Sequence, residues 1–269
     1  MSNDVGRVIG AEILKMRRLK STFALPTTAV ALAAIQAILF DIFQRRALVG
    51  EPSGFFVGAT TLGWMTTAIA LLAIVLTSFL ISREFALGTI KTAWTCQLKR
   101  EHWYAGKVVT AVLAVVGIYV LVVATILLVA WTRAGFGDLA EGGLVIHEVR
   151  DLSIRMALCA TLTLFALCAL VILAAQVATL VNNAGTAIAI GVGLGVVMSG
   201  LQAVSVLRPF MLTTYLAAPL SQMSAMSRGF PLPYEWNELL WKCLVGAGAW
   251  MIVAYIGGHI AIKRREVTS

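Results

Sequence analysis

The sequence predicts an all-α integral membrane protein, with six transmembrane helices preceded by an amphipathic helix at the membrane surface. Three observations predict it. Only 13% of the 269 residues are charged, against 59% hydrophobic, whereas a soluble domain carries about 25% charged residues on its surface. The apolar residues come in blocks of roughly 20, the length a helix needs to cross hydrocarbon, rather than at a helical or strand period. Lys and Arg lie between the blocks, where they meet phospholipid headgroups and set topology. A mean hydropathy of +0.89 agrees.

The first element is Asp4–Lys20. At about 100° per residue, Val5, Val8, Ile9, Ile13, Met16 and Leu19 share one face, with Arg7, Lys15, Arg17 and Arg18 elsewhere. Such a helix lies in the headgroup layer, apolar face down and cations near anionic lipid. Glu12 falls within the apolar face and has no place in that account. Residues 1–21 are therefore expected to form an interfacial helix and residues 22–269 a transmembrane domain.

The spans follow at Thr22–Phe40, Phe55–Ser82, Val108–Thr132, Ala157–Leu180, Ala184–Val204 and Cys243–Ile262, ranges that contain no Lys, Arg, Asp or Glu. The first block exceeds a signal-peptide core and precedes further spans, so it is expected to be retained as a helix. Counting Lys and Arg gives 13 on the side of both termini and of the Arg83–Lys107 loop, and 8 on the other. The positive-inside rule places the larger number, and both termini, in the cytoplasm. Acidic residues Asp138, Glu141, Glu148, Asp151, Glu235 and Glu238 gather on the opposite side.

Between the spans, the cytoplasmic turn Val181–Asn183 is minimal, whereas Arg83–Lys107 is long and charged. The external stretch Arg208–Trp241 has four prolines, yet Phe210, Met211, Leu212, Tyr215, Leu216 and Leu220 need cover. Short helices dipping back toward the membrane would supply it, provided protein or water satisfies the turning backbone.

The residue types exclude several functions. The net charge of +8 lacks the interleaved aromatics of a nucleic-acid surface. Cys96, Cys159, Cys168 and Cys243 form no C-x-x-C or His/Cys cluster, so neither a disulfide nor a metal site is read from them. The spans offer Gln36, Gln176, Gln202 and hydroxyls but no carboxylate for an ion-coupled carrier. No H-E-x-x-H, G-x-S-x-G or phosphate-loop motif occurs, so the chain is not read as an enzyme and any ATP hydrolysis belongs to another subunit. Gly191, Gly195 and Ser199 make a small-x-x-x-small stripe, read as helix packing, and Gly257–Gly258 has the same status. His102, His147 and His259 are isolated and read as interfacial or loop residues.

Two segments carry a resemblance. Ala11-Glu12-Ile13-Leu14-Lys15-Met16-Arg17-Arg18 precedes the first span, and Ser82-Arg83-Glu84-Phe85-Ala86-Leu87-Gly88-Thr89-Ile90-Lys91 ends the second, followed by Lys99-Arg100 and Gly106-Lys107. Together with the six-span topology, they resemble the membrane subunit of bacterial ABC-2 type ABC exporters. Many such permeases end the second span with R-E-x-x-x-G-T-x-K/R and reach the third through a basic stretch closed by G-K. Thr95-Cys96-Gln97 stands where family members often have proline.

The resemblance implies a multi-pass protein of the bacterial cell membrane, working with two copies of a separate ABC ATPase and a second permease subunit, identical or homologous. ATP and Mg would bind the ATPase, and this chain would hold no cofactor. A cytoplasmic coupling helix near Ala86–Trp94, between spans 2 and 3, would receive the ATPase's motion, with Arg83, Glu84, Leu87, Gly88, Thr89 and Lys91 as its residues. Glu12, Lys15, Arg17 and Arg18 belong to the N-terminal interfacial helix. The first, second and fifth spans would line the path of an amphipathic cargo such as an antibiotic or antimicrobial peptide, with lipid-linked or polysaccharide material as the alternative. A passive channel or a non-transporting scaffold is the competing reading from another class.

Overall fold

The structure, a computed structural model, describes residues 2–264 apart from 19, 48–52, 87, 89–98, 142–143, 182 and 232–235. Eight α-helices make up almost all of it: α1 Ser2–Arg18, α2 Lys20–Ala47, α3 Gly54–Ala86, α4 Arg100–Ala134, α5 Val149–Leu180, α6 Ala184–Leu201, α7 Leu212–Met226 and α8 Trp236–Arg264. Six of them, all but α1 and α7, are long and apolar enough to cross a membrane.

The helices run past the ranges drawn from hydropathy. With 33 and 35 residues, α3 and α4 extend ~50 Å at ~1.5 Å per residue, well beyond a hydrocarbon core of ~30 Å. Hydropathy marks only the lipid-facing middle. The helical ends carry charges that the predicted ranges left out, including Asp41, Glu84 and Lys107. At the other extreme α6 has 18 residues and stops at Leu201, short of the predicted Val204.

Helix α5 is the central pillar, packed against α3, α4, α6, α7 and α8. Its Leu152, Cys159, Leu167 and Ala169 are fully buried in a core shared with Leu62 and Ile69 of α3, Val122 and Ile126 of α4, and Leu212 and Leu220 of α7. Helix α2 lies at the periphery and turns Ala29, Ala33 and Ala37 inward, an alanine at every fourth residue that lets neighbouring helices approach closely. Large apolar side chains such as Leu32, Ile35, Phe43, Val196 and Ile252 point outward, as lipid-facing residues do when water is not the solvent.

The two ends of the bundle differ. The end away from the termini is closed by irregular structure. Gly135 (φ +68) caps α4 and its carbonyl accepts the Gly54 N–H at 2.9 Å, fixing the start of α3 beside it. Buried Asp41 holds Arg45 at 3.0 Å, and that guanidinium also donates to the Arg133 carbonyl, tying α2 to the same corner. A short antiparallel hairpin, β1 Leu139–Glu141 and β2 Leu144–His147, follows. It was not anticipated, although the Gly142-Gly143 pair between its strands is a hairpin signal.

The stretch after α6 folds as a 3₁₀ turn, Arg208–Phe210, and then α7. Leu212, Tyr215, Leu216 and Leu220 are buried as the sequence requires, whereas Phe210 remains exposed. The Tyr215 ring occupies the gap left by Gly246 of α8, and its hydroxyl donates to the Pro209 carbonyl.

Candidate functional site

The opposite end, where α1 begins and α8 finishes, holds a cluster of charges centred on the buried Lys107 and Glu12. Lys107 lies in the second turn of α4, with a side chain only 2% exposed. The ammonium has three protons and three acceptors: Glu12 Oε2 of α1 at 2.8 Å, Glu84 Oε1 of α3 at 2.8 Å and the Leu80 carbonyl at 3.0 Å. Lys15 Nζ lies 2.7 Å from both Glu12 Oε1 and Glu84 Oε1. The other oxygen of Glu84 accepts the Trp103 indole N–H at 2.9 Å. Two carboxylates and two ammoniums cancel, which is the condition under which charges persist away from water.

Each partner is delivered by local structure. Glu12 and Lys15 are three apart on α1, and Trp103 and Lys107 four apart on α4, so each pair shares a helix face. Gly106 lets α1 come close. A Cβ there would meet the Val8 side chain at 2.6 Å, so the α1–α4 contact forbids a larger residue. Trp103 packs edge-on against Phe85 and lies under the Lys107 ammonium at 5.6 Å, which adds cation–π attraction. Burial works against the charge on Lys15, but hydrogen bonds to Glu12 and Glu84, and their negative charge, outweigh it and raise its pKa above the usual lysine value.

A looser ring of pairs surrounds the cluster. Glu101 meets Lys263 of α8 at 2.8 Å and His259 at 3.9 Å, while His102 lies 3.3 Å from Asp4 of α1. The first two turns of α4 thus touch α1, α3 and α8, immediately after the segment 89–98. Deeper in, Tyr104 and Gln176 rest on Gly258 and Gly257 of α8, so this glycine pair serves close helix packing.

The predicted residues divide accordingly. Glu12, Lys15 and Glu84 come together in the cluster. The face of α1 that packs runs through Val5, Val8 and Glu12, whereas Ile13 and Leu14 stay outside. Glu12 therefore belongs to a protein contact, which is why it interrupted an apolar face. Arg17 and Arg83 are exposed, and the Arg18 side chain lies outside the described residues. Gly88 sits in a bend at φ +66, with no atom of the described residues within 4 Å of an added Cβ. That left-handed φ turns the chain direction, one of the two things, with close approach, that a glycine there permits. Leu87, Thr89, Lys91 and most of the Ala86–Trp94 segment lie outside the described residues.

On α6, a Cβ on Gly191 would meet Ile74 of α3 at 2.7 Å, so Gly191 is a packing residue. Gly195 has open space instead, and Ser199 bonds back to its carbonyl at 2.9 Å. The reading of the sequence missed Lys107 and Trp103 as site residues. The available signal was the unexplained acid at Glu12, since a buried carboxylate calls for a cation nearby.

Residues 17–268 match the model of a family described as Protein of unknown function (DUF2705). The chain belongs to the DUF2705 family. Glu84, Trp103 and Lys107 fall within the region that defines DUF2705, and Glu12 and Lys15 lie just before it. Comparison of this DUF2705 chain with curated proteins returns no match.

Proposed function

We propose that the chain is the permease subunit of an ATP-driven ABC-2 type exporter, paired with a second permease and driven by separate ATPase subunits. In this reading both termini and the segment 87–98 face the cytoplasm, α1 lies at the membrane surface, and the segment around Ala86–Trp94 docks on the ATPase. The observation that carries the proposal is the cluster of Glu12, Lys15, Glu84 and Lys107. It clamps the helix before the segment 87–98 and the helix after it to each other and to α1. A push on that segment would be delivered to three helices together, because buried ion pairs resist being separated one at a time. An amphipathic cargo suits the largely uncharged outer faces of the spans.

Co-expression with candidate ABC ATPases tests the reading. Co-purification, and ATP turnover that rises when the permease is present in lipid, is the expected result. A chain that binds no ATPase, or conducts solute without ATP, is a channel or scaffold instead.

A further inference from the structure

At the end away from the termini, α3 and α7 flank an open groove of about 410 Å³, within the range of small-molecule sites. Its chemistry is graded. Arg228 stands at the rim, its guanidinium 4.4 Å from the centre of the Phe56 ring in the first turn of α3. Gly229, at φ +90, turns the chain just past α7 and keeps Arg228 there. Trp64, eight residues and ~12 Å further along α3 than Phe56, lines the groove together with Phe230, Ala59 and Leu220. Thr60 and Ser224, also in the lining, join their hydroxyls at 2.8 Å.

Among the described residues no carboxylate pairs with Arg228, whereas Arg45 and Arg155 have Asp41 and Asp151. A guanidinium stacked on a ring keeps its in-plane N–H donors free, in the fork that matches phosphate. Beyond the groove, Leu71 and Phe79 continue the exposed face of α3 from Trp64, a track for an acyl chain. We propose that this groove binds an amphiphile with an anionic phosphate head, and that its source is an anionic phospholipid of the surrounding bilayer. The head lies on Arg228, and the first methylenes lie between Trp64 and Phe230. The proposal is independent of the transport reading, and its test needs no ATPase.

The full chain, purified in neutral detergent, is titrated by native mass spectrometry with phosphatidylglycerol, phosphatidylcholine and dodecyl phosphate. Phosphatidylglycerol should bind at least about tenfold tighter than phosphatidylcholine, a difference of ~1.4 kcal/mol. Arg228→Gln should erase that preference, and Arg133→Gln, at an exposed arginine of the same end, should keep it. Ser224→Leu, which fills the groove, should weaken both lipids. Equal binding of the two lipids to the wild type, or a preference that survives Arg228→Gln, overturns the proposal. Dodecyl phosphate binding without phosphatidylglycerol binding overturns the bilayer as the source. Equal wild-type binding overturns the proposal even where a variant fails to fold.

Discussion

Lys107 is the residue on which the terminal end of the bundle depends. Replacing it with Met removes one of the two cations and leaves the exposed Lys15 as the one ammonium against Glu12, which is buried, and Glu84, so one negative charge of the pair loses its partner. Leaving a buried charge uncompensated costs about 3–5 kcal/mol, so Lys107→Met should lower the melting temperature of the purified protein sharply. Glu12→Gln with Lys107→Met should be less damaging than the sum of the two single changes, since the second removes what the first left unpaired. A double-mutant cycle that shows simple additivity would refute the cluster as a coupled unit.

Lys15 behaves differently, because its side chain is 58% exposed. Its pKa is raised from 10.5 by its carboxylate partners. The stabilisation from this pairing is therefore complete below the unfolded value and is lost as pH rises through the higher folded value. Thermal scans of wild type and Lys15→Met should differ by a constant amount from about pH 6 to about pH 9 and converge only in stronger alkali. A difference that grows or vanishes near neutrality would assign the effect to another group.

Among the elements, α1 and the α3 terminus are the parts whose positions rest on single glycines. Gly106→Leu places a branched side chain where Val8 already lies, so α1 should detach while the spans stay folded. Trypsin should then cleave the α1 segment of purified Gly106→Leu at least several times faster than that of wild type, with the melting of the remainder little changed. Gly88 carries a left-handed φ of +66, a conformation that costs a side chain about 1–2 kcal/mol. With no described residue against it, Gly88→Val should redirect the segment that follows rather than disturb the bundle. Under the proposed function, that variant inserts normally yet loses most stimulation of the partner ATPase; full stimulation would remove Gly88 from the coupling path. The sequence displayed both glycines, in its G-K and G-T pairs. It did not reveal that Gly106 faces α1, because that depends on how two helices cross.

For the whole molecule, the proposed topology has a direct check. On a background lacking the four native cysteines, a cysteine at Lys99 should resist an impermeant thiol reagent in intact cells, and one at Gly142 should react. The reverse pattern would turn the bundle over and place the charge cluster outside the cell.

The six spans were legible in the amino-acid order because hydrophobicity over about 20 residues is a local property, set by the need of a helix to satisfy its own backbone in lipid. The cover needed by the Leu212–Leu220 segment was equally legible, since bare apolar side chains must pack somewhere. What only the tertiary structure decided is which charges meet. Glu12, Glu84 and Lys107 belong to three helices, separated by 72 and 23 residues of chain. Glu12 carried one local signal, an acid on an apolar face, but nothing in the local sequence of Glu84 distinguishes a carboxylate at a solvated helix end from one that meets a buried ammonium at 2.8 Å. Charge pairing falls off with distance through space rather than along the chain, so the cluster exists only once α1, α3 and α4 are packed together.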